Sequence, residues 1–532
     1  MTNPRARWFG LVFISIAVAL IIVDSTIINV AIPSIVRDLK ITSTDVQWVQ
    51  ESYTLVFAAL LLVFGTLADR FGRRRMMLLG VAIFALSSVL AALSGSATEL
   101  IGSRVLQGVG GAMILPTSLS LINATFRGKE RGIAFAVWGS TIGGMAAVGP
   151  LLGGWLTTYF SWRWAFGINV PLGIVIFIGA LIYVQPSRDA NPQRIDVVGA
   201  ILAILTSASL VFGLIEGRTF GWWLTDQPPT IFGVKWSLAV SPIPFAFGIT
   251  LVAGILFVLW SLRRGRNGHT TMLAFDLLRI RSFRNGNLAA MIVSLGEFGI
   301  ILSLPLWLQN VLGYSAVQTG LVLLGLAIGS FFASGFAGVF SGRFRPVWIV
   351  RVGILAEIIG LVITALVIST STPWYAIVGG LFVYGFGVGL ATAQLTGVVL
   401  ADVPVEKSGS GSGTQSTARQ IGSALGIAVL GTILFSGLGS LLDAKLADQH
   451  VPTAERTSIV DAVVGSAGSA IASLGTTSPT ATADAKHAFA EATRDSALAA
   501  AGFLALGFIA TLSLGERARD EKTAPEVVPS SI

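Results

Sequence analysis

Four ionisable side chains sit where the surrounding sequence is almost wholly apolar. Asp24 lies in IIVDSTIINVAIPSI, Arg104 opens RVLQGVGGAM, and Glu297 and Glu357 fall inside two later apolar runs. A charge at such a position is costly unless it is paired or hydrated, so intramembrane acids mark proton or substrate pathways. Desolvation favours the neutral acid, which suits a group that takes up and gives back a proton. Asp24 is the sharpest of the four and is flanked by Ser25, Thr26 and Asn29. Arg104 stays charged and responds to the protonation of a nearby carboxylate. Glu297 and Glu357 lie about 18 and 15 Å along their runs at 1.5 Å per residue, the mid-depth where transporter sites sit. The plainer alternatives are a carboxyl satisfied by polar neighbours (Asn29 for Asp24, Arg351 for Glu357) and an arginine snorkelling to the membrane edge.

A second chemical feature is GTLADRFGRRR, Gly65 to Arg75, between two apolar runs. Gly65 lets a neighbouring helix approach closely, and Gly72 permits a tight turn. Asp69 is placed to meet an arginine or a helix N-terminus, and Arg70, Arg73, Arg74 and Arg75 hold the turn on the cytoplasmic side. A third is GMAAVGPLLGG, with Gly149, Pro150, Gly153 and Gly154 inside one run. Pro150 bends that helix and the glycines allow close packing or sliding.

These groups must be positioned by membrane helices. The chain has 532 residues, 53% hydrophobic and only 12% charged, with a mean hydropathy of +0.79. Globular domains carry about 25% charged residues, so the class is an all-α polytopic membrane protein. The net charge of +8 lies in short loops, which argues for topology and against nucleic-acid binding. The absence of cysteine excludes disulfides and thiolate metal centres, and the three histidines, His269, His450 and His487, fall in loops. No phosphate-binding GxxxxGK[ST] occurs, so work would draw on an ion gradient or a partner. No metal or other cofactor is expected.

Apolar runs near 8–32, 45–68, 76–95, 99–122, 134–157 and 163–185 predict six spans. Two more lie near 195–216 and 240–262, and six near 285–312, 316–340, 347–369, 373–400, 415–439 and 494–514. The expected organisation is a six-helix bundle over 1–185, a two-helix insert with linkers over 186–284, and a second bundle over 285–514. A long external loop, 440–493, and a cytoplasmic tail, 515–532, complete it. With fourteen spans, 25 of the 35 Arg and Lys fall on one side, which places both termini in the cytoplasm. An internal repeat supports two related halves. GVFSGRFR from Gly338 echoes the Gly65 turn, with Gly342 in place of Asp69, and Leu381 stands where Arg104 would. The charged features survive mainly in the first half, so gating and proton coupling are expected there.

The Gly65, Asp69, Arg70, Gly72 and Arg73 spacing resembles motif A of the major facilitator superfamily. Arg104, Gln107 and Gly108 resemble its motif B, and GPLLGG its antiporter motif, with Met145 departing from a frequent glycine. DSTIINVAIP, SWRWAFGINVPLG from Ser161, Asp196 with Gly199, and RQIGSALGIAV from Arg419 are similar to the fourteen-span drug:proton antiporters. The resemblance runs from Asp24 to about Val429 and implies the major facilitator fold, in a cell-membrane exporter rather than an enzyme. The expected partners are protons, a small amphipathic substrate and the lipid bilayer. Transport would proceed by alternating access, Asp24 or Glu297 carrying the proton, with Arg104 and Glu357 coupling it to a substrate expected to be cationic. Two alternatives stand beside it: a dedicated exporter of one endogenous lipid, antibiotic or metabolite, and a membrane receptor or scaffold acting through 440–493. Tyr53, Trp138, Phe298, Trp307 and Tyr384 are candidate cation–π partners, most of them expected to face lipid. Glu216 is expected at the membrane interface.

Overall fold

The computed structural model describes residues 4–514 apart from 42, 189–194, 227, 232–233, 268, 270, 341–343 and 476–477. Gly342 and Arg343 of the second-half turn, and the tail at 515–532, lie outside the described residues, as does the side chain of Asn29.

The apolar runs fold as helices. The first group is α1 (Pro4–Leu39), α2 (Ser43–Phe71), α3 (Arg73–Leu93), α4 (Ala97–Thr125), α5 (Gly128–Tyr159), the short α6 (Arg163–Gly167) and α7 (Asn169–Tyr183). Next come α8 (Val197–Phe220) and α9 (Pro242–Arg266), joined by a loop with a two-stranded ladder, Thr230–Ile231 against Val234–Lys235. The last group is α10 (Arg281–Asn310), α11 (Ala316–Phe340), α12 (Pro346–Val367), α13 (Trp374–Val399), α14 (Ser408–Asp448), α15 (Thr453–Gly465), α16 (Ile471–Leu474) and α17 (Pro479–Leu512).

The repeat seen in the sequence reappears as a repeat of packing. In the first group α1 packs on α5, and α2 and α3 pack on α4. In the last group α10 packs on α14, and α11 and α12 pack on α13. The two groups meet along α2 with α14 and along α5 with α11 and α13. The α8–α9 hairpin leans on α2 and α14 from outside. Asp196 caps α8 by accepting from Gly199 N (2.9 Å), and it also accepts from Trp260 Nε1 of α9 (2.8 Å), which closes the hairpin.

Twelve helices among the described residues are long and apolar enough to cross a bilayer, thirteen when bent α5 counts as one span. Within α11 only the shorter apolar stretch Val317–Ala333 is recorded, so the expected fourteen are not all accounted for. The bend in α5 is 41°, between Gly128–Met145 and Val148–Tyr159. Pro150 explains it, because its ring displaces the carbonyl four residues earlier and offers no N–H.

The 440–493 segment is more ordered than a loop. α14 has 41 residues, about 60 Å of helix against a hydrocarbon core of about 30 Å, so it projects well past the membrane. α17 begins at Pro479, and Leu438, Leu442, Leu446, Val463, Ile471, Ala485 and Phe489 bury together between the projecting ends and α15.

Candidate functional site

Asp24 is fully buried and saturated with donors. Arg104 Nη1 donates to its Oδ2 at 2.6 Å, while Gln107 Nε2 (3.1 Å) and Asn169 Nδ2 (2.6 Å) donate to its Oδ1. Gln107 and Asn169 also donate to Ser88 Oγ, at 2.8 and 3.2 Å, so one hydroxyl ties both amides to α3. Arg104 spends its remaining capacity on Val49 O (3.1 Å) and Gln107 Oε1 (2.8 Å), and its guanidinium lies 4.4 Å from the Tyr53 ring centre. Two helices, α4 and α7, thus donate to one carboxylate of α1, and α2 and α3 hold those donors in place. Arg104 is 1% exposed and is no snorkelling side chain. Its spacing to Gln107 is one helical turn, which puts both on the α1-facing side of α4. Asn169 and Ser88 were not singled out from sequence. They are ordinary polar residues 145 and 64 positions from Asp24; Asn169 falls within the SWRWAFGINVPLG run without standing out in it, and no local pattern marks Ser88.

Gly149 and Gly153 line α5 against the same stretch of α1. A Cβ at Gly149 would collide with Thr26 Oγ1 and lie 2.9 Å from Thr26 Cβ. One at Gly153 would lie 2.8 Å from Ile27 Cγ1. Gly154 faces the other half, where a Cβ would meet Val317 Cγ2 of α11 at 2.8 Å. The GPLLGG run therefore sets α5 against the acid-bearing helix and the opposite bundle at once.

The second half has its own acids. Glu297 on α10 accepts from Thr392 Oγ1 (2.8 Å) and faces Arg419 Nη2 of α14 at 3.4 Å. Its backbone carbonyl accepts from Tyr384 OH at 3.3 Å. Glu357 on α12 is fully buried, and neither carboxyl oxygen has a hydrogen-bond partner among the described residues. Arg351, a possible cap for it, instead donates to Thr511 O (3.2 Å) and lies 5.4 Å from the Trp348 ring centre. Leu381 packs in the core where the first half has Arg104. Arg419, quoted only as part of a motif, supplies the cation here.

The Gly65–Arg75 stretch forms a latch between the halves. Gly72 takes φ 101°, a left-handed turn that ends α2, and Arg73 N then donates to Ser187 O (2.9 Å). Arg73, fully buried, donates through Nε (3.0 Å) and Nη2 (2.6 Å) to Asp69 Oδ1. Its Nη1 reaches Ser187 Oγ (2.7 Å) and its Nη2 also reaches Val405 O. Asp69 accepts in turn from Gly409 N (2.8 Å) and Ser410 N (2.9 Å), the open N–H groups at the start of α14. Gly65 permits this approach, since a Cβ there would lie 2.6 Å from Gly409 O and from Gly413 Cα. Asn123 Nδ2 to Ser408 Oγ (2.9 Å) and Gln394 Nε2 to Gly132 O (3.2 Å) close the same end. Arg74 donates to Leu181 O and Val184 O, and the half-buried Arg70 lies 5.7 Å from the Phe71 ring centre. Arg73 is the arginine that pairs with Asp69.

Glu216 is 1% exposed and shares a hydrogen bond with Glu51 of α2, a carboxyl pair that needs a proton between its members. One expectation is corrected. Tyr53, Trp138, Trp307 and Tyr384 are buried rather than lipid-facing: the polar tips of Trp138, Trp307 and Tyr384 have protein acceptors, and the Tyr53 ring lies 4.4 Å from the Arg104 guanidinium. Trp138 Nε1 donates to Ser118 Oγ (3.0 Å) and Trp307 Nε1 to Ser369 O (3.2 Å). The SWRWAFG run ties the opposite end of the first half. Arg163 Nη1 and Trp162 Nε1 both donate to Asp38 beyond the α1 span, which holds that carboxyl below its usual range.

Comparison with known proteins agrees with this arrangement. A family model described as Major Facilitator Superfamily matches residues 14–427. The chain is 33% identical to the "Multidrug efflux pump LfrA" of Mycolicibacterium smegmatis over 94% of each chain. It is 30% identical to the "Tetracenomycin C resistance and export protein" of Streptomyces glaucescens, over 98% of this chain and 94% of that one. Among solved structures, the human organic anion transporter MFSD10 (TETRAN) superposes with a TM-score of 0.56 at 13% identity, covering 96% of this chain and all of the other. Family model, relatives and helix packing agree, and the chain belongs to the Major Facilitator Superfamily, as a membrane transporter of its drug-exporter branch rather than an enzyme.

Proposed function

We propose that the chain is a proton-coupled antiporter that exports small amphipathic, cationic compounds by alternating access. The observation that carries this reading is the presence of buried carboxyls on the membrane-crossing helices of both groups, Asp24 with Arg104 in one and Glu297 with Glu357 and Arg419 in the other. Acids cost too much there to be kept for packing alone, and they are the groups that exchange a proton against a cation. Residues 1–185 and 285–514 act as the two moving bodies, with 186–284 as the insert and 8–32 through 494–514 as fourteen spans. The Asp69–Arg73 latch lies on the cytoplasmic side, with both termini, in the plasma membrane. With that latch engaged, the cytoplasmic end between the two bodies is closed, the state that takes up a proton and releases substrate on the other side. Gly149, Pro150, Gly153 and Gly154 form the surface on which α5 slides against α1 and α11.

The named exporters of antibiotics and other drugs among its relatives support the substrate class. The test is uptake of a fluorescent lipophilic cation into inside-out vesicles with and without an imposed pH gradient. Gradient-dependent uptake, lost when the gradient is collapsed, is expected. Uptake that ignores the gradient overturns proton coupling, and no uptake of any cation moves the assignment to a neutral or dedicated substrate.

A further inference from the structure

We propose that Glu357 is the proton carrier of the latch-closed state, while Asp24 is a positioning residue tied to Arg104. This rests on the antiport reading and divides its labour between residues that sequence leaves equivalent. The acids of the membrane region differ in what surrounds them. Asp24 receives three donors, one of them a guanidinium. Glu297 receives a hydroxyl and faces a guanidinium. Glu357 has neither among the described residues, though it is just as deeply buried. Removing an unpaired carboxylate from water costs far more than removing the neutral acid, so the unpartnered group is the one that holds a proton.

The charges around it point the same way. α12 packs on α13 and α17. From α13, Tyr384 is the titratable group facing this region, and the stretch 496–512 of α17 carries none. Glu297 of α10 and Arg419 of α14 are the charged groups that act on Glu357. With Glu357 protonated, Glu297 and Arg419 balance. With it ionised, two carboxylates share one guanidinium. Gly387 brings the α13 backbone over the side chain, since a Cβ there would lie 2.7 Å from Glu357 Cγ, and this keeps the carboxyl dry. When the halves rock and water reaches this face, the Glu357 O–H bond breaks heterolytically and the proton leaves to water. The negative charge left beside Glu297 is then matched by the incoming cation.

The test is infrared spectroscopy of the full-length protein at neutral pH, reading the C=O stretch of protonated carboxylic acids and its shift in D2O. Part of that band disappears in Glu357→Gln, moves in Glu357→Asp, and persists in Asp24→Asn. The Glu51–Glu216 pair contributes a separate component that none of these variants removes. A band unchanged in both Glu357 variants, or one lost in Asp24→Asn, overturns the proposal. The companion measurement is proton release into weakly buffered detergent solution when tetraphenylphosphonium binds. Wild type releases a proton and Glu357→Gln binds without release. Equal release from Glu357→Gln sinks the Glu357 assignment alone. Binding to wild type without any release sinks the antiport reading and this assignment together.

Discussion

Replacing Asp69 by Asn changes one atom of the latch and leaves its shape. In the wild type the carboxylate accepts two N–H groups from the opposite half, Gly409 N at 2.8 Å and Ser410 N at 2.9 Å, besides two from Arg73. A hydrogen bond to a charged group is worth about 1.5–3 kcal/mol and a neutral one about 0.5–1.5. The Asn oxygen keeps one cross-half bond in weakened form, and its NH2 then faces the donors that remain. The net loss between the halves is about 3 kcal/mol, roughly a hundredfold in the latch equilibrium. The chain has no cysteine, so cysteines placed at exposed Phe71 and Glu406 carry spin labels without background. Electron–electron distance measurement in detergent should give one short distance for wild type and a large added long-distance population for Asp69→Asn. Identical distance distributions would refute the reasoning that the carboxylate holds the halves together.

Three further outcomes follow from the same geometry. Asn169→Ala removes a 2.6 Å donor from a buried carboxylate, so thermal stability should fall by about 1.5–3 kcal/mol, read from denaturation of the purified protein. Gly149→Ala overpacks the α1–α5 contact and should cost about 1–3 kcal/mol, with Thr26→Ala in the same chain restoring part of it; full stability of the single variant would contradict the packing described. Asp38, lowered chiefly by its hydrogen bond from Arg163 and then by that from Trp162, stabilises the fold above the ordinary carboxylate range, and this is lost as pH falls through its depressed value. Melting temperatures taken from about pH 6 to about pH 3 should therefore show a shallower acid loss in Asp38→Asn than in wild type.

What sequence disclosed was what a local window can hold. Asp24, Glu297 and Glu357 stand out because a charge in an apolar run is improbable in any context. The Gly72 turn stands out because glycine, acid and arginines fall within eleven residues. The partners were hidden because they come from other helices: Asn169 and Ser88 around Asp24, Thr392 around Glu297, Gly409 and Ser410 around Asp69. A backbone N–H at a helix start has no sequence signature beyond the Ser-Gly repeat from Ser408. Glu216 reads as interfacial because it ends an apolar run, and its partner Glu51 is disclosed only by the packing of α8 on α2. Hydropathy measured only the crossing part of α14 and α17. The Ala- and Ser-rich extensions are helical because they bury Leu442, Leu446 and Ala485 against each other, a tertiary effect. The expectation that charged features concentrate in the first half overlooked Arg419, which sequence shows only as the opening arginine of the RQIGSALGIAV run, with nothing to reveal that it faces Glu297.

The central claim, exchange of protons against a cationic solute, is tested most directly with purified protein in liposomes containing a trapped pH indicator. An outward gradient of a lipophilic cation, with no pH gradient imposed, should drive protons inward until the two gradients balance, and wild type should do this while Glu357→Gln does not. Cation efflux that leaves the trapped indicator unchanged would contradict the account.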